Sequence, residues 1–523
     1  MVQGHLNRSQ LQAGNRIVKG TQNDSGMMGS MRISNVGDKR TLCSQFHSLH
    51  SIIGWCHKGK WIPKHEALCS YLGASFLLAL TSCSTDAQGS RPPRSNGENT
   101  MKPLDQLSPA YYHYTDIIAE RGEGCYVYGT DGQSYLDFTC GIGVTNTGHC
   151  HPKVVQAVRE QATKFLHAQI NIVVHTPILE LIEELRPLVP PRLDGFFFTN
   201  SGAEAVEASL KFARVATGRP NVIVFQGSFH GRTVGTMSLT TSKTIYRAGY
   251  QPLMPGVFVA PFPYAFRYKW TEQETVKWCL EELRFLLQTQ TAPSETAAIL
   301  IEPVIGEGGY VPMPQGFFKG LREICDEHGI LLIADEIQSG FGRTGRWFAF
   351  EHYQAKPDVI IVAKGIASGL PLSGIIAPRA MMDDWMPGSH GGTYGGNVVS
   401  CAAALATVRA MRDEGMIENS AVRGEQLMQG LLKLQTKYPR LGDVRGLGLM
   451  IGVEFVDEEG KPDKASATDV MHICKDLGLL LIKCGPYDNT IRFIPPLIVT
   501  EEQIDEGLKL FEKAVEQIAG ASW

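Results

Sequence analysis

Asp335 and Lys364 are the two residues of this sequence best placed to do chemistry together. Each closes a short apolar run: Leu331-Leu332-Ile333-Ala334 delivers Asp335, and Val359-Ile360-Ile361-Val362-Ala363 delivers Lys364. Wholly apolar runs of this length read as strands buried on both faces. In open α/β sheets the ligand crevice lies outside the carboxyl ends of such strands, so one carboxylate and one amine are aimed at a shared crevice. A buried carboxylate keeps a pyridine nitrogen protonated by direct ion pairing. An amine holds an aldehyde as a Schiff base and then acts as a base toward a substrate proton. Those are the demands that pyridoxal phosphate makes of a protein. Alone, a carboxylate at a strand end reads as a cap or turn former and a single lysine as a solvated charge; the pair carries the meaning.

The elements that would position this pair recur along the chain. Phe196-Phe197-Phe198-Thr199 is an apolar strand running through Asn200-Ser201-Gly202-Ala203 into a helix. The amides of Gly202 and Ala203 then lie at a helix N-terminus, where free N–H groups and the dipole favour a phosphate. Val222-Ile223-Val224-Phe225 leads to Gln226-Gly227-Ser228-Phe229-His230-Gly231-Arg232. There an aromatic can stack on a planar ring, and Arg232 offers a two-pronged donor for a carboxylate. Ala297 to Ile301 is a further strand ending on Glu302. Before these, Tyr126-Val127-Tyr128 and Ser134 to Phe138 read as short strands about a Thr130-Asp131-Gly132 turn, followed by the Gly-rich loop Cys140-Gly141-Ile142-Gly143-Val144. His151-Pro152 opens a helix whose expected buried face is Val154, Val155, Val158, Ala162, Phe165 and Leu166.

At 523 residues there is room for two or three domains with sizeable cores, and a net charge of −4 provides no basic field for nucleic acid. The twelve cysteines lack CxxC spacing and read as free thiols of a reducing compartment. Residues 1–104 stand apart, with twelve Lys and Arg against five acids and much Ser, Gly and Asn. Ala67 to Cys83 is an uncharged, largely apolar stretch with Lys58, Lys60 and Lys64 upstream. It reads as a signal-sequence core or short anchor, or the whole lead as an organelle transit segment, or as a dispensable extension with the enzyme beginning near Met101. The localisation expected is cytoplasmic, or mitochondrial if that lead is a transit segment.

Six motifs, in order, resemble those of class III pyridoxal-phosphate aminotransferases: Ser201-Gly202-Ala203-Glu204; Phe229-His230-Gly231-Arg232; Glu302-Pro303-Val304 with Gly306-Glu307-Gly308-Gly309; Asp335-Glu336-Ile337-Gln338-Ser339-Gly340; Lys364-Gly365; and Gly391-Gly392-Thr393-Tyr394-Gly395-Gly396-Asn397. The resemblance covers about residues 105–520 and is strongest to the 4-aminobutyrate aminotransferases, with ornithine and acetylornithine aminotransferases close behind. It implies an α/β fold of type I: a segment of the small domain over 105–155, a large cofactor domain of mainly parallel strands over 156–400, and a C-terminal α/β domain over 401–523.

It also implies roles. Lys364 would link to the cofactor, Asp335 would pair with the pyridine nitrogen, and Gln338 would reach the ring hydroxyl. Phe229 would stack on the ring with His230 beside it, and Ser201, Gly202 and Ala203 would hold the phosphate, joined by Thr393 from the other subunit of a homodimer or larger assembly. Arg232 would bind the distal carboxylate of 4-aminobutyrate, or the α-carboxylate of ornithine, and Arg492 the α-carboxylate of 2-oxoglutarate. Glu302 would pair with Arg492 when the donor has no carboxylate there, sparing a buried unpaired guanidinium. Ile142 would form an apolar pocket wall. Ile170-Asn171 stand where bacterial 4-aminobutyrate enzymes carry an aromatic followed by Gln, which leaves the donor open. Racemases and an aminomutase share the fold and motifs and are the alternative class.

The end of the chain is read from its own pattern. Ala402 to Met411 continues as a helix, and strands recur at Met450 to Phe455, at Leu479 to Ile482 and near Arg492. Thr500 and Gln503 form a capping box for a last helix with a stripe of Ile504, Leu508, Phe511, Val515 and Ile518.

Overall fold

The computed structural model describes residues 103–522. The first strands are β1 Ala119–Glu123, β2 Tyr126–Gly129 and β3 Ser134–Asp137. A long middle run follows: β4 Gly195–Thr199, β5 Asn221–Phe225, β6 Val257–Ala260, β7 Thr296–Ile301, β8 Val304–Ile305, β9 Val311–Pro312, β10 Leu331–Asp335, β11 Val359–Val362 and β12 Ser373–Ala377. The last are β13 Leu441–Leu447, β14 Met450–Phe455, β15 Leu479–Leu480, β16 Ile482–Cys484 and β17 Thr490–Phe493. Seven of these make the central sheet, in the order β4-β12-β11-β10-β7-β5-β6. Only β12 runs against its neighbours, so the sheet is mainly parallel, as expected.

Alternation along the strands builds the layers, because successive side chains point to opposite faces. Leu331, Ile333, Val359, Ile361, Val222 and Val224 face a core closed by Ala205, Val206 and Phe212 of the Gly202–Thr217 helix. Leu332, Ile360, Val362, Ile223 and Phe225 face the opposite core, closed by Phe317, Leu321 and Leu283 from the helices Phe317–His328 and Glu272–Thr289. With both faces covered, every residue of β7, β10 and β11 is buried, which is why these strands are apolar apart from Thr296 at the start of β7 and Asp335 at the end of β10.

A second, antiparallel sheet runs β13-β14-β17-β16. A third, β1-β2-β3-β15, joins the early strands to a late one, with Leu136 of β3 paired in parallel with Leu479 of β15. The boundary expected at 400/401 falls inside the continuous helix Val398–Asp413. The final helix, Glu501–Ser522, starts on the predicted box: Gln503 Oε1 accepts from Thr500 N at 3.0 Å, and Thr500 Oγ1 accepts from Gln503 N at 3.2 Å. Ile504, Phe511 and Val515 are buried, and the Phe511 ring lies 5.0 Å from that of Phe493.

One expected helix face is corrected. The helix runs over Pro152–Lys164 and buries Val154, but Ala162, Phe165 and Leu166 are exposed. Phe165 takes an extended backbone, with φ −168° and ψ 153°, and the Leu166 carbonyl accepts from Asn397 Nδ2 at 3.1 Å, so the chain leaves the helical path before the apolar stripe is complete. The eight described cysteines are free. Apart from Pro103 and Leu104, in the short 3-10 turn Pro103–Gln106, the segment 1–104 lies outside the described residues, its Ala67–Cys83 stretch included. Among the described residues no helix is long and apolar enough to cross a membrane.

Leu332 is fully buried, whereas Val422 is 55% exposed. Leu332→Ala should cost about 2–5 kcal/mol of stability and Val422→Ala less than about 0.5 kcal/mol, a difference read directly in thermal unfolding midpoints.

Candidate active site

The predicted residues converge at the carboxyl edge of the central sheet. Asp335 ends β10, Glu302 follows β7, Phe229 and His230 follow β5, and Lys364 follows β11. Asp335 is buried; its Oδ2 lies 2.7 Å from His230 Nδ1 and its Oδ1 accepts from Ile337 N at 3.1 Å. His230 is held from behind as its amide donates to Thr240 Oγ1 at 3.0 Å, and its Nε2 is buried with no partner.

Lys364 opens a short 3-10 turn with φ +46°, a left-handed conformation that costs a non-glycine residue about 1–2 kcal/mol. Its amine is pushed down to about 8, first by burial and then by the Arg492 charge, against the opposing pull of Asp335, Glu302 and Glu307. Behind it Gly365 is tightly packed: a Cβ there would sit 2.3 Å from Asn146 Nδ2. Asn146 in turn donates to Phe341 O at 2.7 Å and accepts from Arg343 at 2.8 Å, so the turn rests on a braced wall.

The phosphate end is a capped helix start. Ser201 is the N-cap of Gly202–Thr217, its Oγ accepting from Glu204 N at 3.3 Å while the Glu204 carboxylate accepts from Ser201 N at 3.2 Å and Asn200 N at 2.7 Å. The amides of Gly202 and Ala203, one turn too early for helical partners, remain donors for an anion. A Cβ on Gly202 would lie 2.9 Å from Ile337 Cδ1, so a larger residue there would have to displace the Ile337 side chain. Gln338 donates to Ile142 O at 3.2 Å, which ties the turn after Asp335 to the Gly-rich loop, and Ile142 is 41% exposed at φ +65°.

Phe229 is half-buried, with its ring edge-on to Tyr246 at 5.2 Å. These residues fit pyridoxal phosphate: unspent amides for the phosphate, an aromatic face, an amine, and a buried carboxylate backed by a histidine with an orphaned nitrogen.

The two arginines differ in kind. Arg232 is exposed, its guanidinium 4.9 Å from the Tyr246 ring centre and 5.7 Å from that of Phe229. Arg492, on β17, is almost wholly buried; it donates to Lys483 O at 2.8 Å and pairs with Glu307 Oε2 at 3.0 Å. The expected Glu302–Arg492 pair is therefore not formed. Glu302 spends both oxygens on backbone amides, accepting from Phe229 N at 2.8 Å and Gly306 N at 2.9 Å. Burial, with the Asp335 charge adding to it and His230 opposing, lifts the Glu302 carboxyl to about 7.

Sequence reasoning quoted Glu307 within a motif but assigned it no role, and missed Lys243 and Tyr246. Glu307 Oε1 lies 3.2 Å from Lys243 Nζ and accepts from Tyr246 OH at 2.9 Å. Glu307 stands among Gly306, Gly308 and Gly309 in its motif, whereas a lone lysine ahead of the short Thr244–Tyr246 turn carries no signal in sequence. Thr393 is exposed on the Gly391–Asn397 loop. Ile170 and Asn171 sit against the same loop, within 3.8 and 4.0 Å of where Cβ atoms on Gly396 and Gly391 would lie.

Comparison with known proteins agrees with this geometry. A family model described as aminotransferase class-III matches residues 108–515. The chain is 42% identical over 406 residues to a 5-aminovalerate aminotransferase of Pseudomonas putida, covering 77% of this chain and 94% of that protein. It is 41% identical over 405 residues to a 4-aminobutyrate aminotransferase of Escherichia coli, covering the same shares, 77% and 94%. The crystal structure of a Bacillus anthracis aminotransferase superposes with a TM-score of 0.73 at 31% identity, covering 80% of this chain and 96% of that one.

Only a neutral amine attacks an aldehyde, and Lys364 loses its proton as pH rises through about 8. Capture of pyridoxal phosphate by the apoprotein, followed by the absorbance of the lysine-bound cofactor, should accelerate with pH and level off just above that value. Continued acceleration into the range of a free lysine would contradict the assigned environment.

Proposed function

The chain belongs to the class III aminotransferases, a pyridoxal-phosphate-dependent family, and from that premise we propose that it transfers the amino group of an ω-amino acid, 4-aminobutyrate or its homologue 5-aminovalerate, to 2-oxoglutarate in two half-reactions. The observation that carries this reading is the setting of Lys364 between a buried Asp335–His230 pair and two arginines of opposite character, one exposed and one buried. When bound, the cofactor supplies the electron sink for the carbanion formed by proton removal.

The protein's share is positional and protonic. Asp335 keeps the ring nitrogen protonated, and His230 holds Asp335 in place. Lys364, with its lowered proton affinity, would take the proton from the substrate carbon that bears nitrogen and hand it on within the same half-reaction, and in the second half-reaction would move a proton the opposite way, onto the acceptor carbon. Gly202 and Ala203 bind the phosphate by their amides, with Ser201 capping the helix and free to donate its hydroxyl proton. Glu302, anchored by the Phe229 amide, sets the ring of Phe229. Arg232 receives the carboxylate of the ω-amino donor and Arg492 the α-carboxylate of the acceptor, with Ile142 as the apolar wall and Gln338 toward the ring hydroxyl.

Exposure of Thr393 on its own chain supports a homodimer or larger assembly in which this residue serves a neighbouring subunit's phosphate site. The free cysteines support work in a reducing, cytoplasmic compartment.

Single-turnover spectra of the holoprotein provide the test. With 4-aminobutyrate or 5-aminovalerate and no 2-oxo acid, the cofactor should become aminated, and 2-oxoglutarate should restore it. An amino acid losing optical purity while no donor aminates the cofactor would make the protein an isomerase instead. Lys364→Ala should abolish both turnover and the absorbance of the lysine-bound cofactor. Arg232→Gln removes a charge-assisted contact worth about 1.5–3 kcal/mol, so the donor KM should rise roughly ten- to a hundredfold while the rate with saturating donor changes much less.

A further inference from the structure

Four successive residues after β3 take left-handed backbone: Cys140 at φ +50°, Gly141 at +60°, Ile142 at +65° and Gly143 at +74°. Together they close one left-handed helical turn, in which Gly143 N donates to Thr139 O at 3.1 Å and Val144 N to Cys140 O at 2.7 Å. The two glycines accept this conformation freely, but in Cys140 and Ile142 it brings Cβ against the following carbonyl oxygen. A turn of this hand persists only where its surroundings overdetermine it.

One carboxylate holds the entry to the turn. Asp137, the buried last residue of β3, accepts on Oδ1 from Thr139 N at 2.8 Å, from Thr139 Oγ1 at 2.6 Å and from Cys140 N at 3.1 Å. Its Oδ2 accepts from His149 Nε2 at 2.8 Å. An ionised carboxylate is suited to this place, because it only accepts and four donors converge on it. His149 is itself fixed. It exchanges backbone hydrogen bonds with Gly124 at 2.8 and 3.0 Å, and its ring lies so close over Gly122 that a Cβ there would be 2.8 Å from the ring Cγ.

At its far end the turn meets Gln338. Ile142 O accepts from Gln338 Nε2 at 3.2 Å, and a Cβ on Gly143 would sit 3.4 Å from Gln338 Cγ. A right-handed or extended Ile142 would point both its carbonyl and its side chain elsewhere. We propose that Asp137 and His149 are positioning residues of this enzyme: Asp137, braced by His149, locks the Cys140–Gly143 turn in its left-handed form, and the locked turn sets the Ile142 wall and, through Ile142 O, the amide of Gln338. The last link, in which Gln338 reaches the ring hydroxyl of the cofactor, rests on the aminotransferase reading above. The locking of the turn stands on the hydrogen bonds alone.

The test pairs thermal unfolding of the full chain with the absorbance of the lysine-bound cofactor. Asp137→Ala should lower the unfolding midpoint by about 2–5 °C. In an Ile142→Gly background, where the strain at that position is gone, it should lower it by less than half as much. Holoenzyme carrying Asp137→Ala should show the same shift in cofactor absorbance as Gln338→Ala, and the double variant no more than either alone, because both changes release the same amide. His149→Ala should act in the same direction as Asp137→Ala and less strongly, and His149→Gln, which keeps an N–H donor, should restore most of the loss. If Asp137→Ala does not fold, the two His149 variants decide.

The proposal is overturned if the fall in midpoint from Asp137→Ala is the same in both backgrounds, or if Asp137→Ala and His149→Ala leave the cofactor absorbance at its wild-type position while Gln338→Ala moves it. A Gln338→Ala holoenzyme with unshifted absorbance overturns it as well. Wild-type holoenzyme that is not aminated by any ω-amino acid overturns the aminotransferase reading instead, and the unfolding comparison still decides the lock on the turn.

Discussion

The site depends on keeping a carboxylate charged inside a protein core. Asp335 stands at the end of a strand whose every residue is buried, where an unpaired charge is costly. Its contact with His230, 2.7 Å away, and the Ile337 amide answers that cost before any ligand arrives. His230 is fixed in turn by Thr240, and Phe229 beside it by Glu302, so the contact organises the loops after both β5 and β7. A second buried carboxylate, Glu336, does related work outward. It accepts from Ser339 Oγ at 2.6 Å, Ala349 N at 3.0 Å and Phe350 N at 2.8 Å, tying a long loop back to the strand end that carries Asp335.

Charge placement around Lys364 follows from the same constraint. Burial and Arg492 lower its proton affinity, and three carboxylates restrain the fall, leaving an amine that can serve as nucleophile and base near neutral pH. The sheet supplies this by bringing residues from four strand ends and from β17 to one place. Local backbone strain accompanies it: Lys364, Ser368 and Ile142 all have positive φ. Such positions persist only where the surroundings overdetermine them.

The surroundings of Arg492 show how a pairing is decided by what the neighbouring carboxylates already hold. With Glu302 committed to two amides, the buried guanidinium of Arg492 finds Glu307, and through it Lys243 and Tyr246. The consequence is a line of contacts from Arg492 through Glu307 and Tyr246 to Arg232. Thr393 is exposed on a loop that Ile170 and Asn171 approach.

Much of this was legible in the residues themselves. The apolar runs ending on Asp335 and Lys364, the small-residue turn into the Gly202–Thr217 helix, and the Thr500–Gln503 box are local patterns, set by backbone sterics, strand alternation and helix-end hydrogen bonding. What could not be read locally depends on partners far apart in the chain. The register of β3 with β15, the early escape of Phe165 from its helix, and the choice of Glu307 over Glu302 as the counter-ion of Arg492 are of this kind. A buried charge takes whichever partner the packed chain brings within reach, and a motif records that a carboxylate is present without recording which amides have already claimed it. Sequence alone determined the family and the apolar strands that make the sheet; only the tertiary structure decided which charges pair, because pairing is settled by the desolvation of groups that folding brings together.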